Sequence, residues 1–139
     1  MDKYIEAFTS VPVLGIFASA VVMIVVASLW YSPLLFGKIW SRHSGIRPGD
    51  IHPSEARRGY VFATLTALAT AYLLAVVAQH AIAHPTALYA SVIFIWSFVM
   101  LEQTNSFVWE RATFTLFLLH AFRSLTALVA GASVFLFWS

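Results

Sequence analysis

Gly15-Ile16-Phe17-Ala18-Ser19-Ala20-Val21-Val22-Met23-Ile24-Val25-Val26 runs without a charged side chain, and its neighbours from Val11 to Tyr31 add none. A helix rises about 1.5 Å per residue, so about 20 apolar residues cross the hydrocarbon of a bilayer. The stretch therefore predicts a transmembrane helix over residues 11–31. Trp30 and Tyr31 stand at its end, where amphipathic rings settle at the membrane–water boundary, and Pro33 ends or kinks the helix as it leaves.

Working outward, three further apolar runs occupy residues 60–82, 87–109 and 113–138. The second carries Ala63, Ala67, Ala71, Ala75 and Ala78 at helical spacing, and the fourth carries Ser124, Ala127 and Gly131. Such small-residue faces let membrane helices approach closely. His84-Pro85-Thr86 and Glu110-Arg111 mark the short turns around the third run. Over all 139 residues the hydrophobic share is 60%, the charged share 10% and the mean hydropathy +0.83. Soluble domains carry about a quarter charged residues, and a small soluble fold cannot hide so much apolar surface. The expectation is an all-α integral membrane bundle of four transmembrane helices in a single domain. No cleaved signal peptide and no C-terminal domain are expected, because the N-terminus is more acidic than basic and the chain stops after Trp138.

Residues 37–59 form the one long loop. Arg47-Pro48-Gly49-Asp50 is a turn signal, and His52-Pro53-Ser54-Glu55 reads as a helix start. Lys38, Arg42, Arg47, Arg57 and Arg58 lie in or beside this loop and Arg111 lies in the third connection, against Lys3 alone on the other side. The positive-inside rule then places this loop in the cytoplasm and both termini on the non-cytoplasmic side. The basic residues, at a sequence pI near 9.2, serve topology, and no nucleic-acid partner is expected. The absence of cysteine excludes disulfides, thiolate catalysis and cysteine metal sites.

Leu29-Trp30-Tyr31-Ser32-Pro33-Leu34-Leu35-Phe36-Gly37-Lys38-Ile39-Trp40 resembles the signature of a bacterial membrane family, the domain of unknown function 1761 family. Trp96-Ser97-Phe98-Val99 and Trp109-Glu110-Arg111 are weaker echoes of it. The resemblance implies a four-span protein of the bacterial cytoplasmic membrane with no established activity, and it carries no catalytic residue. Its matching positions are Trp30, Tyr31, Ser32, Pro33, Gly37, Lys38 and Trp40. The residues alone admit two readings. Trp30, Tyr31 and Trp40 can anchor the interface while Lys38 and Arg42 meet lipid phosphates, or the motif can shape a ligand or partner site.

Glu102, His120 and Arg123 fall inside apolar runs, where an ionisable side chain costs about 2.5–3.5 kcal/mol on insertion scales and generally has a partner. Glu102 and His120 each lie about 13 Å from the turn joining their helices, with Arg123 one turn deeper. On the third run Glu102 shares a face with Ser91, Phe98, Ser106 and Trp109. Tyr72 comes to the same level, and Gln103 adds polar capacity. This intramembrane cluster is expected to be a structural clasp, with Arg123 neutralising Glu102, or a solute or proton site; alternatively the third helix ends early and Glu102 reaches the headgroups. His80 and His84, four apart, have the spacing of a metal pair, with Asp2 and Glu6 on the same side, but a bound metal is not expected from two histidines alone. His80 lies roughly 30 Å up its helix and His120 about 13 Å up, so one haem cannot take both, and no cofactor is expected.

These features leave two classes of function. One is a non-enzymatic membrane protein, an oligomeric scaffold or accessory subunit whose partners are the lipid bilayer, copies of itself or a larger membrane complex. The other is a small-solute or proton-coupled transport or binding protein using the Glu/His/Arg cluster. No enzyme motif is visible.

Overall fold

The computed structural model describes residues 2–81, 84–110 and 112–138. Arg111 and the side chain of Ser106, both used above, lie outside the described residues. The elements in order are α1 (Asp2–Thr9), α2 (Val13–Trp30), α3 (Gly37–Ser44), a 3-10 turn (Pro48–Asp50), α4 (Pro53–Ala81), α5 (Pro85–Trp109) and α6 (Phe114–Phe137). No strand occurs among the described residues. Four of these helices, α2, α4, α5 and α6, are long and apolar enough to cross a membrane.

Local chemistry sets the helix ends. Pro53 opens α4, and the Nδ1 of His52 accepts from the backbone N–H of Ser54 at 3.2 Å, capping a donor that has no partner inside the helix. The helix thus starts about two turns before the apolar run at Tyr60. Thr113 caps α6 by accepting from the N–H of Leu116 at 3.3 Å. Helix α3 ends at Gly45, whose φ of 73° places it in the left-handed region that glycine enters without a Cβ clash. Helix α1 was not expected from the apolar pattern. Its C-terminal end is tied to α4, where the Gln79 side-chain amide donates to the carbonyl of Ser10 at 2.8 Å.

The order of contacts gives the directions. Gly15 lies against Phe135, Ser19 against Gly131, and Tyr31 against His120. Partners on α6 recede as α2 advances, so the two helices are antiparallel. Tyr89 bonds Ser133 at 2.8 Å and Trp96 bonds Ala121 at 3.0 Å, so α5 and α6 are antiparallel as well.

Small side chains close the α2–α6 crossing. The Ser19 hydroxyl, fully buried, donates to the carbonyl of Gly131 at 2.9 Å. A Cβ on Gly131 would stand 2.9 Å from Met23 and 3.0 Å from the Ser19 oxygen. The alanine face of α4 is buried at Ala71, Ala75 and Ala78 but exposed at Ala63. The core is correspondingly one-sided: Ala20, Met23, Ala71, Leu74, Leu88, Val92, Ala132 and Phe135 all belong to it. These residues lie toward the end of the bundle that holds the α4–α5 turn. At the opposite end, residues 57–66 of α4 are exposed throughout.

Candidate functional site

The turn after α2 is built by its own sequence. Pro33 has no N–H to offer, so the helix cannot continue through it. The last helical carbonyls are met instead by Tyr31, whose N–H donates to Ala27 at 3.2 Å, and by Ser32, whose hydroxyl donates to Leu29 at 2.7 Å. The chain then doubles back, with Phe36 N–H on the Trp30 carbonyl at 3.0 Å and Gly37 N–H on the Ser32 carbonyl at 2.9 Å. The Trp30 and Phe36 rings meet at 4.6 Å between centroids. A Cβ on residue 37 would stand 2.4 Å from the Tyr31 carbonyl oxygen and 2.7 Å from that of Ser32. Only glycine lets the backbone come this close to itself. Helix α3 then packs against α6.

That fold-back aims Tyr31 at α6. Its hydroxyl is hydrogen-bonded to Nδ1 of His120, and the two rings lie 5.8 Å apart between centroids. On its other side the Tyr31 ring meets Trp40 of α3 at 5.9 Å. The Arg123 guanidinium carbon sits 5.9 Å from the Tyr31 ring centroid. Arg123 Nε is buried and has no hydrogen-bond partner among the described residues. Trp40, Tyr31, His120 and Arg123 thus form one polar cluster at the end of the bundle where α2 gives way to its turn.

The motif that builds this turn also carries the family signal: the model of a family described as protein of unknown function (DUF1761) matches residues 14–136, nearly the whole chain. The chain belongs to the DUF1761 family. No curated protein and no solved structure matches it.

In this DUF1761 protein the signature turn and the His120–Arg123 pair of α6 are one feature, which the sequence pattern alone kept apart. His120 and Arg123 come together as expected from their spacing, but their partner is Tyr31 and not Glu102. Glu102 is exposed on α5 and has neither an ion pair nor a hydrogen bond among the described residues. Depth is not the reason, because the α5–α6 register sets Glu102 near the level of His120. The face is. Trp96 points at α6, where its Nε1–H donates to the Ala121 carbonyl and the Ser124 hydroxyl, each at 3.0 Å. Glu102, six residues on, lies about 240° round the helix from Trp96. Direction adds to this. Helical side chains tilt toward their own N-terminus, so on antiparallel helices Arg123 reaches toward the Tyr31 end while Glu102 tilts away from it.

Gln103 is also exposed without a hydrogen bond among the described residues, and Tyr72 is half-buried on α4. Ser32 is half-buried within the turn, while Pro33 and Lys38 are exposed. Two residues apart from Trp40 in opposite directions, Lys38 and Arg42 occupy the side of α3 away from Tyr31. His80 and His84 are exposed; the Nδ1–H of His80 donates to the Val76 carbonyl at 2.8 Å. Among the described residues no three histidine, aspartate or glutamate side chains gather as a metal set.

Proposed function

We propose that this protein is a non-enzymatic, multi-pass integral membrane protein of the bacterial cytoplasmic membrane that works by assembling with other transmembrane helices, in the first instance a second copy of itself. Both termini face the non-cytoplasmic side, and the loop holding α3 faces the cytoplasm. The observation that supports this reading is the position of Glu102. It lies about 10 Å inside the end of α5 on an outward face, without a partner among the described residues of its own chain, and its side chain tilts toward the bilayer interior. A carboxyl group facing lipid is costly, and covering it with a neighbouring helix removes that cost. The exposed surface around it, with Phe98 and Leu101, supplies the apolar rim of such a contact.

The chain has no cysteine, so single cysteines report without background. Phe98→Cys and Leu101→Cys should give disulfide-linked dimers in native membranes under mild oxidation, whereas Glu102→Leu should change the yield. Monomers at both positions, with a monomeric mass in nanodiscs, would overturn the assembly reading.

A further inference from the structure

The hydrogen-bond directions within the Tyr31 cluster determine what it can bind. A guanidinium only donates, and that of Arg123 stands beside the Tyr31 ring, its carbon 5.9 Å from the centroid. A phenol is a stronger proton donor than a neutral imidazole N–H, and an imidazole nitrogen a stronger acceptor than a phenol oxygen, so Tyr31 donates to Nδ1 of His120. An imidazole that accepts at Nδ1 carries its proton on Nε2. The cluster therefore turns outward a set of donors only: the remaining N–H groups of Arg123 and the Nε2–H of His120. Among the described residues no carboxylate pairs with Arg123. His120 is exposed and Arg123 half-buried, so both can be reached from outside the bundle. The site lies at the end of α2, level with its boundary aromatics Trp30 and Tyr31. Lys38 and Arg42, exposed on the far side of α3, add positive potential to the same end of the molecule.

We propose that Arg123 and His120, oriented by Tyr31, form a phosphate-binding site at the membrane boundary, filled by the phosphate of an anionic lipid headgroup or by free inorganic phosphate. The planar fork of Arg123 suits two phosphate oxygens, and the imidazole N–H a third. Tyr31 is a positioning residue: its hydroxyl holds His120, its ring lies beside the Arg123 guanidinium, and it does not itself face the ligand.

The test uses the full chain in detergent, titrated separately with phosphatidylglycerol, with diacylglycerol of the same acyl chains and with inorganic phosphate. Native mass spectrometry and thermal unfolding are the readouts. Wild-type protein should retain one phosphatidylglycerol per chain in preference to diacylglycerol. Arg123→Gln should weaken this about tenfold, and Arg123→Lys should restore only part of it. Tyr31→Phe, which keeps the ring packed on Trp40, should also weaken it, and provides the test if Arg123→Gln does not fold. Stabilisation of wild type but not of the variants by inorganic phosphate supports the same site with a soluble ligand. Equal retention of phosphatidylglycerol and diacylglycerol without a phosphate effect, or variants that bind as wild type does, would overturn the proposal.

Discussion

A methyl group on residue 37 would stand 2.4 Å from one backbone carbonyl and 2.7 Å from the next, and neither neighbour is the free end of a flexible side chain. Gly37→Ala must therefore open the turn itself. The expected loss is about 2 kcal/mol, the ordinary cost of overpacking, together with release of Tyr31 from His120. Gly45→Ala serves as the comparison, because nothing lies within 4 Å of its Cβ and only its φ of 73° resists substitution. Thermal unfolding of the two variants in one detergent checks this, and an unchanged midpoint for Gly37→Ala would mean that the turn is looser than it stands. The importance of Gly37 could be read from the sequence only as membership of a dense motif. Its reason could not, because the clash is with the backbone five and six residues earlier, and that meeting exists only once Pro33 has turned the chain. Tyr31 was hidden in the same way. Its place beside Trp30 at the end of an apolar run is explained by interface anchoring, which makes no demand for a partner on the last helix. His120 and Arg123 did announce themselves, as charges where charge is costly.

Among the elements, the α2–α6 crossing depends most on small side chains. Gly131 meets Met23 and Ser19 at distances that leave no room for a side chain, and the buried Ser19–Gly131 hydrogen bond fixes the level at which the helices cross. Gly131→Leu should separate α2 from α6, destabilise the protein by about 1–3 kcal/mol and shift its unfolding midpoint down in detergent. Ser19→Ala removes one interhelical hydrogen bond, worth about 0.6 kcal/mol in membrane bundles, and should cost much less. If Gly131→Leu unfolds with the wild type, the helices do not cross there. The small-residue faces of the second and fourth spans were readable from spacing, yet spacing does not say which helix each face meets. The alanine face of α4 is divided for that reason: Ala71 is buried in the core, while Ala63, two turns away on the same face, is exposed. Helices α1 and α3 could not be read from hydropathy, being short and polar. The Lys38–Arg42 spacing did suit a helical face, and residues 37–44 are helical.

At the scale of the whole molecule, hydropathy carried the reading because a membrane span is a length requirement, and four runs long enough to meet it stand as four long helices. What hydropathy leaves open is direction. The bundle now supplies two chemically distinct ends. One holds the Gln79–Ser10 and Tyr89–Ser133 bonds and carries Lys3 as its basic residue. The other holds the Tyr31 turn, with α3 bringing Lys38 and Arg42, the loop after it Arg47, and the start of α4 Arg57 and Arg58. Basic side chains close to span ends resist transfer across the membrane, so the second end should remain in the cytoplasm. The cysteine-free chain makes this measurable with a membrane-impermeant maleimide. Asp50→Cys, on the exposed loop, should be unreactive in intact cells and should label once inverted membrane vesicles expose it. Thr9→Cys, at the end of α1, should show the opposite pattern. Labelling of Asp50→Cys from outside would reverse the molecule in the membrane. The Tyr31–His120–Arg123 site would then open to the outer leaflet, and its phosphate would have to come from there.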